Sequence, residues 1–132
     1  MLTLAVNRFE ADPDKVSEIL QMEPTSVGRA GEINTTSGRP NKFNGWWLEA
    51  HPERLEQGLD HERALDRLIE RIRDRRKHFE RLHEDIRPQI LTIYGGFYVP
   101  KDSQSGVWLS VDQMSVLSSC GVEWGLDLFR VD

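Results

Sequence analysis

The stretch EPTSVGRAGEINTTSGRPNK, residues 23–42, sets three cations, Arg29, Arg39 and Lys42, among the glycines Gly28 and Gly31. Glycines in such a run let successive backbone N–H groups converge, and cations around them favour an anion. The GxGxxG and GxxxxGK[ST] signatures that would make this chemistry specific are missing from the chain, as is the strand-loop-helix setting they need. The stretch therefore reads as a surface loop or as an anion-binding loop. A second feature is FNGWWLEA, residues 43–50, where Trp46 and Trp47 are adjacent. On a strand, neighbouring side chains point to opposite faces. Trp47 is expected to pack inward. Trp46 then lies either under a helix or loop, or exposed as an aromatic anchor of the kind that dominates interfaces. Tyr94 would border the same region, between the 23–42 loop and the sheet.

The remaining reactive side chains form no known constellation. His51, His61, His78 and His83 include no pair at the i, i+4 spacing and no HExxH, so no metal site is expected. Cys120 stands alone before Gly121 in an apolar segment, where a thiol behaves as a small hydrophobe. No serine sits in GxSxG. No cofactor is implied. Asp127 alternates with Leu126 and Leu128, so it faces away from both, toward solvent or a loop.

Charge narrows the partners. The net charge of -5 over 132 residues disfavours nucleic acid, because phosphate binding needs clustered Lys and Arg. Residues 63–87 nevertheless hold nine basic and six acidic residues, so one helix is mildly basic and the remainder acidic. Within that helix Arg63, Arg67 and Arg71 each have an acid three residues on, Asp66, Glu70 and Asp74. Pairs of this spacing neutralise one another locally, leaving Arg73, Arg75, Arg76 and Lys77 as the basic surplus. No apolar run approaches the ~20 residues of a membrane span. A single cysteine and the absence of a signal-like start point to the cytosol.

These residues must be positioned by a small set of elements. Leu2, Leu4 and Val6 alternate along a strand at 2–9. Asp12 and Pro13 open a helix, which stops before Pro24. The 23–42 stretch is a long loop with a short strand near Val27. A strand over 45–50 ends at His51-Pro52. A helical stripe then runs from Leu55 to about Glu84, with a polar gap at Arg75 and Arg76 that marks a kink or an end. Residues 86–99 form a strand in which Gly95-Gly96 marks a bulge or the close approach of another backbone. PKDSQSG is a turn, Ser110 caps a short helix ending at Gly121, and residues 122–131 close the chain as a strand. The whole is one α+β domain. With the long helix set aside, two β-α-β units remain, which predicts a ferredoxin-like sandwich or, more loosely, a mixed sheet with helices mainly on one face.

In order and spacing, Asp12-Pro13, Leu20 with Pro24-Thr25, Gly31, Trp47, Leu109-Ser110, Gly121 and the closing Leu126-Asp127-Leu128-Phe129 resemble the bacterial domain of unknown function 4279 family over nearly the whole chain. The departures are Phe129, where that family more often has Tyr, and the Arg-rich helix. The resemblance brings no activity with it. By analogy with small α+β proteins encoded beside bacterial toxins, it suggests an immunity-type inhibitor. Three expectations follow. The first is a non-catalytic protein-binding module whose acidic surface meets a basic partner. The second is a small-molecule-binding protein or enzyme with a site near Arg29, Arg39, Trp46 and Tyr94. The third is a homo-oligomer joined through strand edges or the long helix.

Overall fold

The computed structural model describes residues 2–50, 54–55, 58–59, 61–100 and 107–131. The predicted strand stop at His51-Pro52 and the turn after Pro100 fall outside them. Strand β1 (Leu2–Phe9) sends Leu2, Leu4 and Val6 into the core. It ends in a bulge, where the register shifts between Asn7 and Phe9 and Arg8 takes φ 62°. A non-glycine residue adopts that left-handed conformation uncommonly. Helix α1 (Pro13–Leu20) starts as the sequence requires: the Asp12 carboxylate accepts from the Asp14 N–H at 2.9 Å, and Pro13 occupies the first turn. Strand β2 (Ser26–Gly28) follows, then β3 (Asn44–Ala50).

The stretch between β2 and β3 is not a structureless loop. It folds back on itself as a hairpin, with Gly31 N–H on Asn41 O, Asn41 N–H on Glu32 O, Asn34 N–H on Arg39 O and an Ile33–Pro40 bridge. Asn34 Oδ1 accepts from Thr36 and Ser37 N–H and closes the tip. The polar residues that hid this hairpin from a hydrophobic-pattern reading are the ones that make its turn.

A short antiparallel pair, β4 (Arg54–Leu55) and β5 (Gly58–Leu59), leads into α2 (His61–Arg73). The long helical stripe breaks at the predicted polar gap, and α3 (Arg76–Arg81) continues into a π-helical turn, Leu82–Ile86. Strand β6 (Ile90–Pro100), helix α4 (Val111–Ser119) and strand β7 (Glu123–Val131) complete the chain. Leu65, Leu68, Ile69, Ile72, Phe79 and Leu82 of the stripe are all buried.

The main sheet has the order β2-β3-β1-β6-β7, antiparallel throughout except for the parallel pair β6 and β7. The fold is α+β with a mixed sheet. The interleaved ferredoxin-like order is not the one adopted. After α1 the chain returns through the β2–β3 hairpin, so β3 lies antiparallel beside β1 with no strand between them. β2, antiparallel to β3 in turn, runs parallel to β1 with β3 between them, so β1-α1-β2 and β6-α4-β7 are two parallel crossover units laid side by side rather than interleaved.

One core cluster joins Leu2, Leu4, Val6, Trp46, Leu48, Leu91 and Ile93 to residues of every helix. Helix α1 has no basic residue in its last turn. Its final carbonyls are met from α3 and its approach instead: Arg75 Nε donates to Leu20 O at 3.1 Å, and His78 Nδ1 lies 2.9 Å from Ile19 O. Arg76 reaches Ser119 Oγ. The Arg-rich segment expected to present free charge is thus partly consumed in tying helix ends together.

Candidate functional site

The two tryptophans take the reverse of the predicted sides. Trp46 is fully buried on the helix face of the sheet, and its Nε1 donates to Ser17 Oγ of α1 at 3.0 Å. It is therefore not an exposed anchor. Trp47 lies on the opposite face, half-buried. The strand parity was legible; which residue faced the core depended on register, since Val6, a core residue, pairs with Trp46. The Trp47 ring lies across Gly28 and Gly45. A Cβ at Gly45 would stand 2.7 Å from Trp47 Cζ2 and 2.9 Å from Asn7 Oδ1, so only glycine fits. Asn7 Oδ1 is buried there without a hydrogen-bond donor among the described residues. Tyr94 stands on the same face, opposite Thr3, and is 46 % exposed.

Of the three predicted cations, Arg29 is already paired with acids. Arg29 reaches back to α1, with Nε 3.0 Å from Asp12 Oδ2 and Nη2 3.2 Å from Asp14 Oδ1. The pairing holds the Asp12 carboxyl below its ordinary range and raises Arg29, chiefly through the hydrogen bond between them. The N–H groups of the supposed nest are also taken: Ala30 donates to Asn44 Oδ1 and Gly31 to Asn41 O. Arg39 and Lys42 stay exposed on the hairpin. Asn44 fastens this arrangement, since its Nδ2 donates to Glu10 O and Ala11 O.

Cys120 is buried, and burial pushes its thiol up. No group of three or more His, Cys, Asp or Glu side chains converges on a metal-sized space among the described residues. At Gly96 it is a side chain and not a backbone that comes close: a Cβ there would lie 3.0 Å from the Phe129 ring. Asp127 is exposed, as its alternation requires.

The feature missed from sequence is the corner where α4 begins. Trp108 and Val111 are each 79 % exposed, and Met114, three residues on from Val111, is exposed too. Helix α4 starts in a full capping box, Ser110 Oγ accepting from Gln113 N–H at 3.0 Å and Gln113 Oε1 accepting from Ser110 N–H at 2.9 Å. Gln113 Nε2 also donates to Asp66 Oδ1 of α2 at 2.6 Å. Arg73 bridges Glu70 and Asp112, which holds the Asp112 carboxyl below its ordinary range. A shallow cleft of about 640 Å³ lies between the helices, lined by Trp108 and Leu109 and by Glu62, Asp66, Glu70 and Asp112, with Arg73 the one base. The signal was present in SVDQMSVLSSC. Its apolar residues fall on two sides of the helix, Val116, Leu117 and Cys120 inward, Val111 and Met114 outward. A helix serving only the core needs one stripe.

Two further clefts lie along α3 and the π-helical turn, of about 470 and 690 Å³, both lined by Ala11, Asp85 and Ile86. Arg8 and Arg87, both left-handed, border the larger one with Glu10, Glu84 and Asp85. Arg8 stacks over Phe43, its guanidinium carbon 5.1 Å from the ring centre. Their cations and acids are mixed and assign no ligand.

No helix among the described residues is long and apolar enough to cross a membrane. No curated protein and no solved structure matches the chain. A family model does, over residues 1–129, and the chain belongs to the family described as Domain of unknown function (DUF4279).

Proposed function

We propose that this protein is a non-catalytic protein-binding module, with immunity-type inhibition of a bacterial toxin as its concrete form and the cytosol as its setting. One observation carries the reading: Trp108, 79 % exposed, lines an acidic cleft at the start of α4, a helix that leaves Val111 and Met114 exposed as well. Exposed apolar residues grouped in this way, rimmed by polar ones, mark interaction sites, and Trp is the residue most enriched among interface hot spots. Inhibition would work by occlusion, the module covering a toxin's active site.

The test is co-expression with the product of a neighbouring gene. A stoichiometric complex on size-exclusion chromatography, lost in Trp108→Ala with unchanged circular dichroism, is the expected result. Recovery of the isolated chain alone, with every neighbouring product unbound, would sink the proposal.

A second reading, small-molecule binding on the open sheet face, is favoured by the buried, unpaired Asn7 Oδ1 beside Trp47. A buried acceptor without a donor costs about 1–3 kcal/mol, and a ligand N–H would remove that cost. Titration with small amides and amines should quench Trp47 fluorescence in the wild type and not in Asn7→Leu. Equal responses in both would end this reading.

A further inference from the structure

We infer that the α2–α4 corner receives a cationic segment carrying an apolar anchor, supplied by another protein. This rests on the protein-binding reading and names the partner's chemistry. The cleft sets four carboxylates, Glu62, Asp66, Glu70 and Asp112, against the single guanidinium of Arg73. Three of these carboxylates are held in place: Asp66 by Gln113, Glu70 and Asp112 by Arg73. Glu62 makes no ion pair among the described residues and is exposed. Three held acids and one free one thus form a negative row along α2 and the first turn of α4, with Arg73 the one base that lines the cleft beside it.

Beside the row stands the Trp108 indole. Among side chains its ring is the best receptor for an ammonium or guanidinium group. Val111 and Met114, three residues apart on α4, give that helix an exposed apolar shelf. A cation alone would leave this shelf wet, and an apolar residue alone would leave the acid row unpaired. A segment with Lys or Arg on one side and a large apolar residue on the other satisfies both. An anionic segment or a phosphate backbone would meet like charge. A second copy of this chain is a poorer fit, because Arg75 and Arg76 of its basic segment are engaged with Leu20 O and Ser119 Oγ.

The test uses the full chain and three synthetic helical peptides: Lys with Leu, Glu with Leu, and Lys with Ser. Calorimetry should show binding of the Lys/Leu peptide above the other two. Trp108→Ala should weaken it roughly thirty-fold, the loss typical of an interface anchor. Glu62→Lys, at an exposed position that leaves the internal ion pairs intact, should weaken it about fivefold. Binding should also fall as salt rises from ~0.01 M to ~1 M and the Debye length shrinks from about 30 Å to about 3 Å. If the Glu/Leu peptide binds as well, through Trp108, the cationic partner is refuted while the protein-binding reading stands. Lys/Leu binding indifferent to Glu62→Lys and to salt, or no Trp108-dependent binding of any peptide, overturns the inference. So does a wild-type dimer in sedimentation that Trp108→Ala abolishes, which would assign the corner to a second copy. The co-expression result above decides the protein-binding reading independently.

Discussion

At the centre of the sheet, two tryptophans on consecutive residues are both housed by the protein itself: Trp46 under α1 with its N–H on Ser17, Trp47 over the glycines of two strands. At the α2–α4 corner a lone tryptophan is housed by nothing comparable. The difference lies in the neighbours rather than in the residue type. Gly28 and Gly45 omit the Cβ atoms that would lift the Trp47 ring away. Trp108 is followed by a helix whose first turn turns Val111 outward as well. Aromatic residues flanked by small ones on a strand serve packing here, and the one at a helix entry with apolar company serves the surface.

The comparison can be broken most forcefully at its buried end. Trp46→Ala should cost about 3–5 kcal/mol, the range for large aromatics removed from a core, measured by urea denaturation. Acrylamide quenching should agree: Trp46→Phe leaves the quenchable fraction of the fluorescence nearly unchanged, and Trp108→Phe removes much of it. Next in size is Gly45→Ala. The added methyl meets Trp47 and Asn7 and should cost about 2 kcal/mol. Gly125→Ala, on a strand with open space around it, should be neutral or slightly stabilising in the same denaturation assay.

A smaller effect separates the regions by pH. Asp12 and Asp112 each titrate below the ordinary 3.8 because Arg29 and Arg73 stabilise their anions. A depressed carboxyl contributes stability that is fully present above the unfolded value and lost as pH falls through the folded one. The midpoint of urea unfolding should therefore drop as pH falls below about 4, and Asp12→Asn should flatten part of that decline. The smallest expected effect is at the corner itself: Trp108→Ser should change stability by no more than about 0.5 kcal/mol while abolishing partner binding. A larger loss of stability would mean that Trp108 supports the fold, and the contrast with Trp46 would fail.

Much of this was legible in the sequence because the relevant physics is local. The Asp12-Pro13 start of α1, the Ser110 cap of α4 and the break near Arg75 are written in residues a few positions apart. The core stripe of α2 and α3 follows from helical spacing alone. What was not legible depended on register and on long-range partners. The choice between Trp46 and Trp47 turns on which of them aligns with Val6 of β1, forty residues away. Arg29 looked available until Asp12 and Asp14 were placed beside it. Asn34 and Gly31 looked like loop residues because their hydrogen bonds run to residues that no periodic pattern marks. Trp108 stands just before the Ser110 cap, outside any strand or helix, where no periodicity marks a face.

Strand β1 carries a consequence for how the chain is made. It precedes the other strands along the chain and is the central one of the sheet, flanked by β3 on one side and β6 on the other. Its second partner ends its register at Gly95. Leu2, Leu4 and Val6 must therefore wait for most of the polypeptide before both strand edges are paired. Until then β1 is an apolar strand with open edges, and such strands recruit other chains. A partly made sheet is most exposed to aggregation along β1, and the sequence meets that hazard with charge: Arg8, Glu10, Asp12, Asp14 and Lys15 lie at its end and directly after it.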